Sequence, residues 1–274
     1  MKEYVVPGHA PSLLPDGDFT LVWSDEFDGD TLDRTKWDYR LSMMGERWPA
    51  WVDRGVHLQD SCAVFTLTTE DGRPVSAQLQ TGYNFMDEPV LPPKSEGQHL
   101  RWSIGKLRRS LYLHRYGYYE CRCRLQQKPG WWSAFWMQSP VIGSSPDPAE
   151  AGIEQDIMES FRPGTCSRHA NHFGGYGVDH GCVISGKGRE DLDPAAFHSF
   201  GLLWTPQGYT YYIDGEEDGH TEAPVSHRPE FILITTEVNG YRQESHMPTE
   251  EAYAAIGDTF AVDLVRVFDL MGER

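Results

Sequence analysis

Three carboxylic acids lie within six residues of an otherwise apolar stretch, "AGIEQDIMESF", which contains Glu154, Asp156 and Glu159. Side chains two residues apart on a β-strand point to the same face, so Glu154 and Asp156 are expected to share one. Glu159 would point to the opposite face unless a β-bulge at Ile157 or Met158 adds one residue, and bulges are common beside active sites. The pattern therefore predicts three acids on one face of a bulged strand.

Carboxylates crowded in this way repel one another, and the arrangement costs stability unless a proton is shared or the cluster has a function. Glycoside hydrolysis requires two carboxyl groups across the scissile bond. In this scheme Glu154 is the nucleophile, Glu159 is the general acid and then the general base, and Asp156 orients Glu154. The two glutamate side chains are long enough to approach each other over the shorter aspartate, and a short distance between the two carboxyl groups favours retention of configuration. An acidic solvated edge or a calcium cluster is the alternative interpretation.

The elements that must position these acids are almost all strands. Short runs rich in β-branched and aromatic residues are separated by Gly, Pro, Asp or Asn, and helical periodicity is nearly absent. Only Thr249–Gly257 is predicted as a short helix, with Thr249 as its N-cap. This pattern is typical of a two-sheet sandwich or jelly roll. Examples of the strand-like runs are "FTLVWSDEF", "YGYYECRCRLQ", "SAFWMQS", "YTYYIDG", "FILITTEV" and "TFAVDLVRVFDL".

"EQDIME" resembles the bulged E-x-D-x-x-E signature of glycoside hydrolase family 16. Further blocks are similar to the family's and follow in the same order, over about Phe19 to Leu270. They are "WSDEFDGDTLDRTKW", "YGYYECRCRLQQKPGWWSAFWMQ", "NHFGGYG", "FHSFGLLWTPQGYTYYIDG" and "VDLVRVFD". Gln155 departs from the family pattern, which has an apolar residue there, and Met43 to Pro93 has no segment that aligns.

The resemblance implies an all-β, concanavalin A-like β-sandwich jelly roll of two curved antiparallel sheets. It implies a single catalytic domain over residues 19–274, after an N-terminal extension of residues 1–18. It also assigns Glu154 as nucleophile, Asp156 as the assisting carboxylate and Glu159 as acid/base. The expected function is retaining hydrolysis of β-glycosidic bonds in a polysaccharide.

Aromatic side chains supply the first candidates for substrate binding, because sugars present apolar C–H faces to flat rings. In "WWSAFWM", Trp132 and Trp136 share one face, and the family pattern assigns that face to the cleft; packing in the core is the alternative. Trp48 and Trp51 lie in the loop-like "GERWPAW" and are predicted as sugar platforms, with core packing equally open.

Three polar residues complete the list of substrate-binding candidates. By the resemblance, His172 lies on the strand next to the acidic one, where it can hydrogen-bond sugar hydroxyls or the acid. Glu237 interrupts the apolar run "FILITTEVNGY", and an unpaired buried carboxylate is costly. Glu237 therefore either pairs with an arginine or faces the cleft together with Asn239, and we favour the cleft.

Cofactors and cysteines give weaker signals. No cluster of His and Cys suggests a catalytic metal, and no organic cofactor is expected. Asp263 matches the position where the family often carries a structural calcium. The five cysteines have neither zinc nor C-x-x-C spacing, so mostly reduced thiols are expected, with a Cys166–Cys182 bridge as the alternative.

The chain has 24 Lys and Arg against 41 Asp and Glu, a net charge of −17, which disfavours nucleic acid and anionic membranes as partners. The most basic stretch, Lys106 to Arg115, has the spacing of a strand. No apolar run is long enough to span a membrane and no signal peptide is present, so the chain is cytoplasmic as written, or secreted if a leader was removed. We expect a monomer that acts on a neutral β-glucan, with β-1,3 or mixed linkages. A marine galactan (agar, porphyran or carrageenan), transglycosylation and non-catalytic glycan binding are the alternatives.

Overall fold

The computed structural model of the protein describes residues 1–87, 107–222 and 224–272, and these residues form 21 strands and two short helices. The strands are β1 (Lys2–Tyr4), β2 (Ser12–Leu14), β3 (Phe19–Asp25), β4 (Asp38–Tyr39), β5 (Ser42–Met43), β6 (Glu46–Arg47), β7 (Trp51–Val52), β8 (Val56–Gln59), β9 (Cys62–Thr66), β10 (Thr68–Glu70), β11 (Arg73–Gln80), β12 (Gly117–Arg124), β13 (Trp131–Gln138), β14 (Glu154–Ser160), β15 (His169–Phe173), β16 (Gly181–Ser185), β17 (His198–Thr205), β18 (Gly208–Ile213), β19 (Glu216–Thr221), β20 (Phe231–Val238) and β21 (Thr259–Leu270). The helices are α1 (Pro148–Ala151) and α2 (Glu250–Ala254).

Two large sheets dominate the described residues. The nine-stranded sheet has the order β10-β11-β20-β13-β14-β15-β16, with β4 and β7 also paired to β11. The eight-stranded sheet has the order β19-β18-β17-β12-β21-β9-β8, with β3 paired to β21. Neighbouring strands are antiparallel in every described pairing except that of β7 with β11. The predicted all-β sandwich of two antiparallel sheets is confirmed.

The core lies between the two large sheets and follows from the alternation of side chains along each strand. On β13, every second residue from Trp131 points into the core, while Trp132, Ala134 and Trp136 point away from it. The eight-stranded sheet contributes Tyr119, Cys121 and Cys123 of β12 to the same core. Burying each large apolar side chain stabilises the fold by about 1.5–3 kcal/mol.

The helix predictions have mixed outcomes. Helix α2 is confirmed, and the Thr249 side chain caps it by accepting a hydrogen bond from the backbone N–H of Ala252 (3.2 Å). Helix α1 was not predicted, because a single turn of four residues leaves no periodic pattern. Neither helix of the described chain is long and apolar enough to cross a membrane.

The basic stretch Lys106 to Arg115 was predicted as a strand, and this prediction is wrong. Lys106 lies outside the described residues, and residues 107–113 belong to no strand. Only His114 forms an isolated bridge, with Glu230. The Arg108 guanidinium of this segment lies over the Tyr83 ring at 3.6 Å. The alternation of polar residues here therefore comes from individual contacts of an irregular segment and not from the pleat of a strand.

Residues 1–18 pack against the eight-stranded sheet. Strands β1 and β2 form a hairpin, and Leu14 joins a small apolar cluster with Tyr118 and Phe268. The buried Arg266 guanidinium donates to the Ala10 carbonyl (2.9 Å) and to the Ser12 hydroxyl (2.8 Å). The segment before β3 is therefore held by both apolar and polar contacts.

Candidate active site

A β-bulge on β14 brings the three acids to one face. Opposite β13, Met158 pairs with Phe135 and Asp156 pairs with Trp136, which leaves Ile157 as the extra residue. Ile157 and Met158 are both fully buried, so two consecutive side chains enter the core before Glu159 turns back. The bulge predicted at Ile157 or Met158 is present, at Ile157.

Seven of the residues singled out in the sequence line one cleft of about 420 Å³ on the nine-stranded sheet. They are Glu154, Asp156, Glu159, Trp132, Trp136, His172 and Glu237. The adjacent strands β13, β14, β15 and β20 supply them, so they are placed by a continuous hydrogen-bonded ladder rather than by loops.

Glu154 is a half-buried carboxylate with two donors. The Tyr176 hydroxyl and the Gln138 side-chain amide (3.1 Å) both donate to its Oε2 atom. Burial, and then the negative charge of Asp156, raise the pKa of Glu154 to about 7, although the hydrogen bond from Tyr176 opposes the shift. Glu154 therefore ionises near neutral pH.

Glu159 has a different environment. Within the described part of the chain no hydrogen-bond donor reaches its carboxyl group, and the nearest opposing cation is Arg242. Burial, followed by the charges of Asp156 and Glu154, raises the pKa of Glu159 well above its ordinary value. Both effects favour the protonated form of Glu159, which is the form that a general acid requires.

Asp156 lies between the two glutamates and contacts His172, which in turn contacts His180. Its Oδ2 atom is 3.2 Å from Nε2 of His172, and Nδ1 of His172 is 2.8 Å from Nε2 of His180. The hydrogen bond to Asp156 is the main cause that raises the pKa of His172. His172 thus pairs directly with Asp156, and it interacts with Glu154 through charge.

Trp132 and Trp136 line the cleft and are both partly exposed. The Trp136 indole donates to the Thr235 hydroxyl (2.9 Å), and the Arg40 guanidinium lies over its ring at 5.4 Å. The Trp132 ring has the Arg242 guanidinium at 5.5 Å. Two aromatic rings on β13, the strand next to the acids, are suited to stacking against sugar rings.

Glu237 pairs with an arginine, which was the less favoured of the two predictions, although it also lines the cleft. Its side chain is only 1% exposed, and its Oε2 atom accepts from Arg242 (3.1 Å) and from the Trp51 indole (3.0 Å). The Trp48 indole donates to Oε1 (3.1 Å). Glu237 therefore anchors the segment containing Trp48 and Trp51, and its carboxylate is already occupied by protein donors.

The predicted sugar platforms are corrected by this arrangement. Trp51 is fully buried beneath the cleft, so no sugar can reach its ring. Trp48 is partly buried against the core and is absent from the cleft lining, because its indole turns inward to Glu237. Asn239, which was predicted to face the cleft, follows β20 and is not among the cleft-lining residues; its backbone N–H donates to the Gly130 carbonyl (2.9 Å), and its carbonyl accepts from the Thr249 N–H (3.1 Å).

Asp263 does not fit a calcium site. It lies on β21, and its carboxylate forms an ion pair with the Arg122 guanidinium. A calcium ion needs six to eight oxygen ligands, and the positive charge of Arg122 at the Asp263 carboxylate would repel it. All five cysteines are free, so the Cys166–Cys182 bridge is absent.

Other cleft residues were missed in the sequence. Arg40 is almost fully buried, lines the cleft and pairs with Asp87 (2.7 Å). Asp87 lies within the stretch from Met43 to Pro93 that could not be aligned, and Arg40 lies just before it. Residues 88–93 of that stretch lie outside the described residues. Tyr176 was present in the quoted block "NHFGGYG", but an aromatic residue among glycines carries no sign of its hydrogen bond to Glu154. An isolated arginine such as Arg40 gives no local signal at all.

Comparison with known proteins finds relatives of similar sequence. The glucan endo-1,3-beta-glucosidase A1 of Niallia circulans is 26% identical over 274 residues, which cover 90% of this chain and 37% of that protein. The chain thus spans little more than a third of that relative's length. The glucan endo-1,3-beta-glucosidase of Cryptopygus antarcticus is 28% identical over 214 residues, 76% of this chain and 70% of that protein.

The fold is similar to solved structures as well. The structure of a non-specific endo-beta-1,3(4)-glucanase from family GH16 superposes with a TM-score of 0.66 and 25% identity, and the match covers 96% of each chain. The model of the family described as glycosyl hydrolases family 16 matches residues 64–226, more than half of the sequence and including the bulged acidic strand. The chain therefore belongs to glycosyl hydrolases family 16.

Proposed function

We propose that this protein hydrolyses internal β-glycosidic bonds of a neutral β-glucan, with β-1,3 or mixed linkages, and with net retention of configuration. The observation that carries the proposal is the convergence of Glu154, Asp156 and Glu159 on one cleft through the bulge at Ile157. A binding module would gain nothing from three mutually repelling acids, of which Glu154 and Glu159 have raised pKa values.

The reaction proceeds in two displacements. The ionised Glu154 attacks the anomeric carbon, the glycosidic C–O bond breaks, and Glu159 gives its proton to the departing oxygen. Glu159, now a carboxylate, takes a proton from water as that water attacks the anomeric carbon and releases Glu154. Two inversions give retention. Asp156, held by His172, keeps the field between the two glutamates negative and favours the positive charge that develops on the sugar ring.

A neutral substrate is favoured by the state of the two cleft arginines. Arg40 is paired with Asp87 and Arg242 with Glu237, so the charge of each guanidinium is already balanced by a carboxylate, which weakens its attraction for a sulfate or carboxylate on a sugar. The aromatic rings of Trp132 and Trp136 instead offer apolar contact. The relatives named above are glucanases with β-1,3 or β-1,3(4) specificity, which supports the same substrate class.

The test is release of reducing ends from laminarin, lichenan, agarose, porphyran and carrageenan. We expect release from laminarin or lichenan, with products of intermediate length early in the reaction. Proton NMR should show the β-anomer as the first product. Release from the galactans alone, or the inverted anomer first, would contradict the proposal.

A matched pair of variants separates chemistry from folding. Glu154→Gln should reduce hydrolysis to background while the thermal unfolding curve stays cooperative. Glu217→Gln, an exposed position on β19, is the control and should retain full activity.

A further inference from the structure

A row of three potential metal ligands crosses the strands beside the acids. Glu154 on β14 pairs with His172 on β15, and His172 pairs in turn with Cys182 on β16. Directly paired residues of antiparallel strands point to the same face, so all three side chains lie on the side of the cleft. Asp156, two residues along β14, shares that face.

The distances fit the edges of a tetrahedral zinc site. Zinc bonds of about 2.0–2.2 Å to nitrogen or oxygen and about 2.3 Å to sulfur place neighbouring ligand atoms roughly 3.3 Å (N to O) and 3.6 Å (N to S) apart. His172 Nε2 is 3.2 Å from Asp156 Oδ2 and 3.9 Å from Cys182 Sγ. Ligand atoms of Glu154, Asp156 and His172 all lie within 4.8 Å of one another. Cys182 Sγ lies outside that group of three, so binding through all four residues requires the Cys182 side chain to move toward the carboxylates.

The surroundings of His172 suit a ligand. Its Nδ1 atom is 2.8 Å from Nε2 of His180, and the two rings stack with centroids 5.0 Å apart. When Nδ1–H donates to His180, the lone pair of His172 Nε2 faces the acids. A histidine ligand that donates its second N–H to a neighbour is the usual arrangement at protein metal sites.

The charge and softness of the group select the ion. Five acids line this cleft, and its two arginines are already paired with two of them, Asp87 and Glu237, so the remaining three acids attract a divalent cation. Calcium and magnesium prefer oxygen ligands alone, whereas a thiolate and an imidazole are typical of zinc. Cys182 is exposed, so an ion can reach the group from solvent.

We propose that this cleft binds one Zn²⁺ ion through His172 Nε2, Cys182 Sγ, and carboxylate oxygens of Asp156 and Glu154. Binding displaces the thiol proton of Cys182 to solvent and leaves a Zn–thiolate bond. Because the ion engages the proposed nucleophile and its neighbouring acid, it inhibits hydrolysis reversibly. The inhibition rests on the proposed function, whereas the metal site does not.

The site is tested by calorimetric titration of Zn²⁺ into protein stripped with EDTA, in the absence of any glycan. We expect one equivalent to bind to the wild-type chain. Cys182→Ser should weaken binding by at least about tenfold, since loss of a ligand costs no less than loss of an outer-shell partner. Cys62→Ser, which removes a thiol on the other sheet, is the matched control and should bind as the wild type does. His172→Ala should bind less tightly than Cys62→Ser.

Inhibition provides the second readout, with each variant compared with its own metal-free rate. Zn²⁺ should suppress release of reducing ends from laminarin by the wild type and Cys62→Ser, and EDTA should restore it. Equal Zn²⁺ affinity in Cys182→Ser and Cys62→Ser, absence of saturable binding, or full hydrolysis by the zinc-loaded protein would each overturn the proposal. A chain that binds Zn²⁺ as expected but cleaves no glycan would disprove the proposed function and leave the metal site standing.

Discussion

At the scale of single residues, the division of labour between Glu154 and Glu159 arises from hydrogen bonding. Both are shielded from solvent and both face Asp156, so burial and like charge raise the pKa of each. Of the two glutamates, only Glu154 has donors among the residues that the structure describes, Tyr176 and Gln138, and these stabilise its ionised form. The difference in donors therefore decides which glutamate attacks and which gives the proton.

Tyr176→Phe tests this explanation. The lost hydrogen bond had stabilised the Glu154 carboxylate, so the pKa of Glu154 should rise from about 7. Because Glu154 must be ionised to attack, the acid limb of the kcat/KM profile should move to higher pH by about one unit. The profile is measured on laminarin with EDTA present. Tyr253→Phe, on the exposed face of α2, is the control, and a limb that stays in place in Tyr176→Phe would count against the role given to this phenol.

Glu159→Gln separates proton donation from attack. Without the acid, hydrolysis of laminarin should fall by about 10²–10⁴-fold, because a poor leaving group needs the proton. An aryl β-glucoside with a dinitrophenolate leaving group needs none, so formation of the glycosyl-enzyme should remain fast and appear as a burst of phenolate. A burst lost as completely as laminarin hydrolysis would show that Glu159 has another role.

At the scale of elements, the bulge on strand β14 could be predicted from the sequence, whereas the position of the tryptophan segment beside the cleft could not. Alternation along a strand is a local rule, so the shared face of Glu154 and Asp156, and the need for an extra residue before Glu159, could be inferred from seven residues of sequence. The position of Trp51 depends on Glu237, which is 186 residues away along the chain. A loop tryptophan with a distant partner looks the same in sequence as one exposed to substrate, and for this reason the platform predictions failed.

The contact between Trp51 and β20 should contribute measurably to stability. Trp51→Phe keeps the ring in the core but removes one N–H donor from the buried carboxylate of Glu237. Hydrogen bonds to charged groups contribute about 1.5–3 kcal/mol, so the free energy of unfolding in urea should fall by that amount. Trp23→Phe, on the partly buried outer strand β3, is the matched control and should cost less. Equal losses in the two variants would show that ring volume, rather than the hydrogen bond, accounts for the effect.

At the scale of the whole molecule, the sandwich encloses a polar layer directly behind the acidic strand. Glu230 is fully buried, and its Oε1 atom accepts from the backbone N–H of Ile153 (3.0 Å), the residue before Glu154. Glu230 Oε2 and Gln155 Oε1 are both buried and without a partner among the described residues. A protonated Glu230 can donate its O–H to a neighbouring acceptor. If Glu230 is ionised, its Oε2 atom and Gln155 Oε1 are both acceptors and repel each other. Gln155, which replaces the apolar residue of the family pattern, is thus accompanied by the buried carboxyl group of Glu230.

This layer predicts how stability depends on pH. Burial raises the pKa of Glu230 from 4.5 to about 8, so between these values the folded chain keeps a proton that the unfolded chain releases. The stabilising contribution is fully present below pH 4.5 and is lost as the pH rises through about 8, at up to about 1.4 kcal/mol per pH unit. Glu230→Gln imitates the protonated form, so its free energy of unfolding should fall less steeply between pH 5 and 8 than that of the wild type, and Glu217→Gln should follow the wild type. Parallel curves for wild type and Glu230→Gln would mean that Glu230 is ionised inside the sandwich, with the Ser226 and Gln155 side chains as its donors.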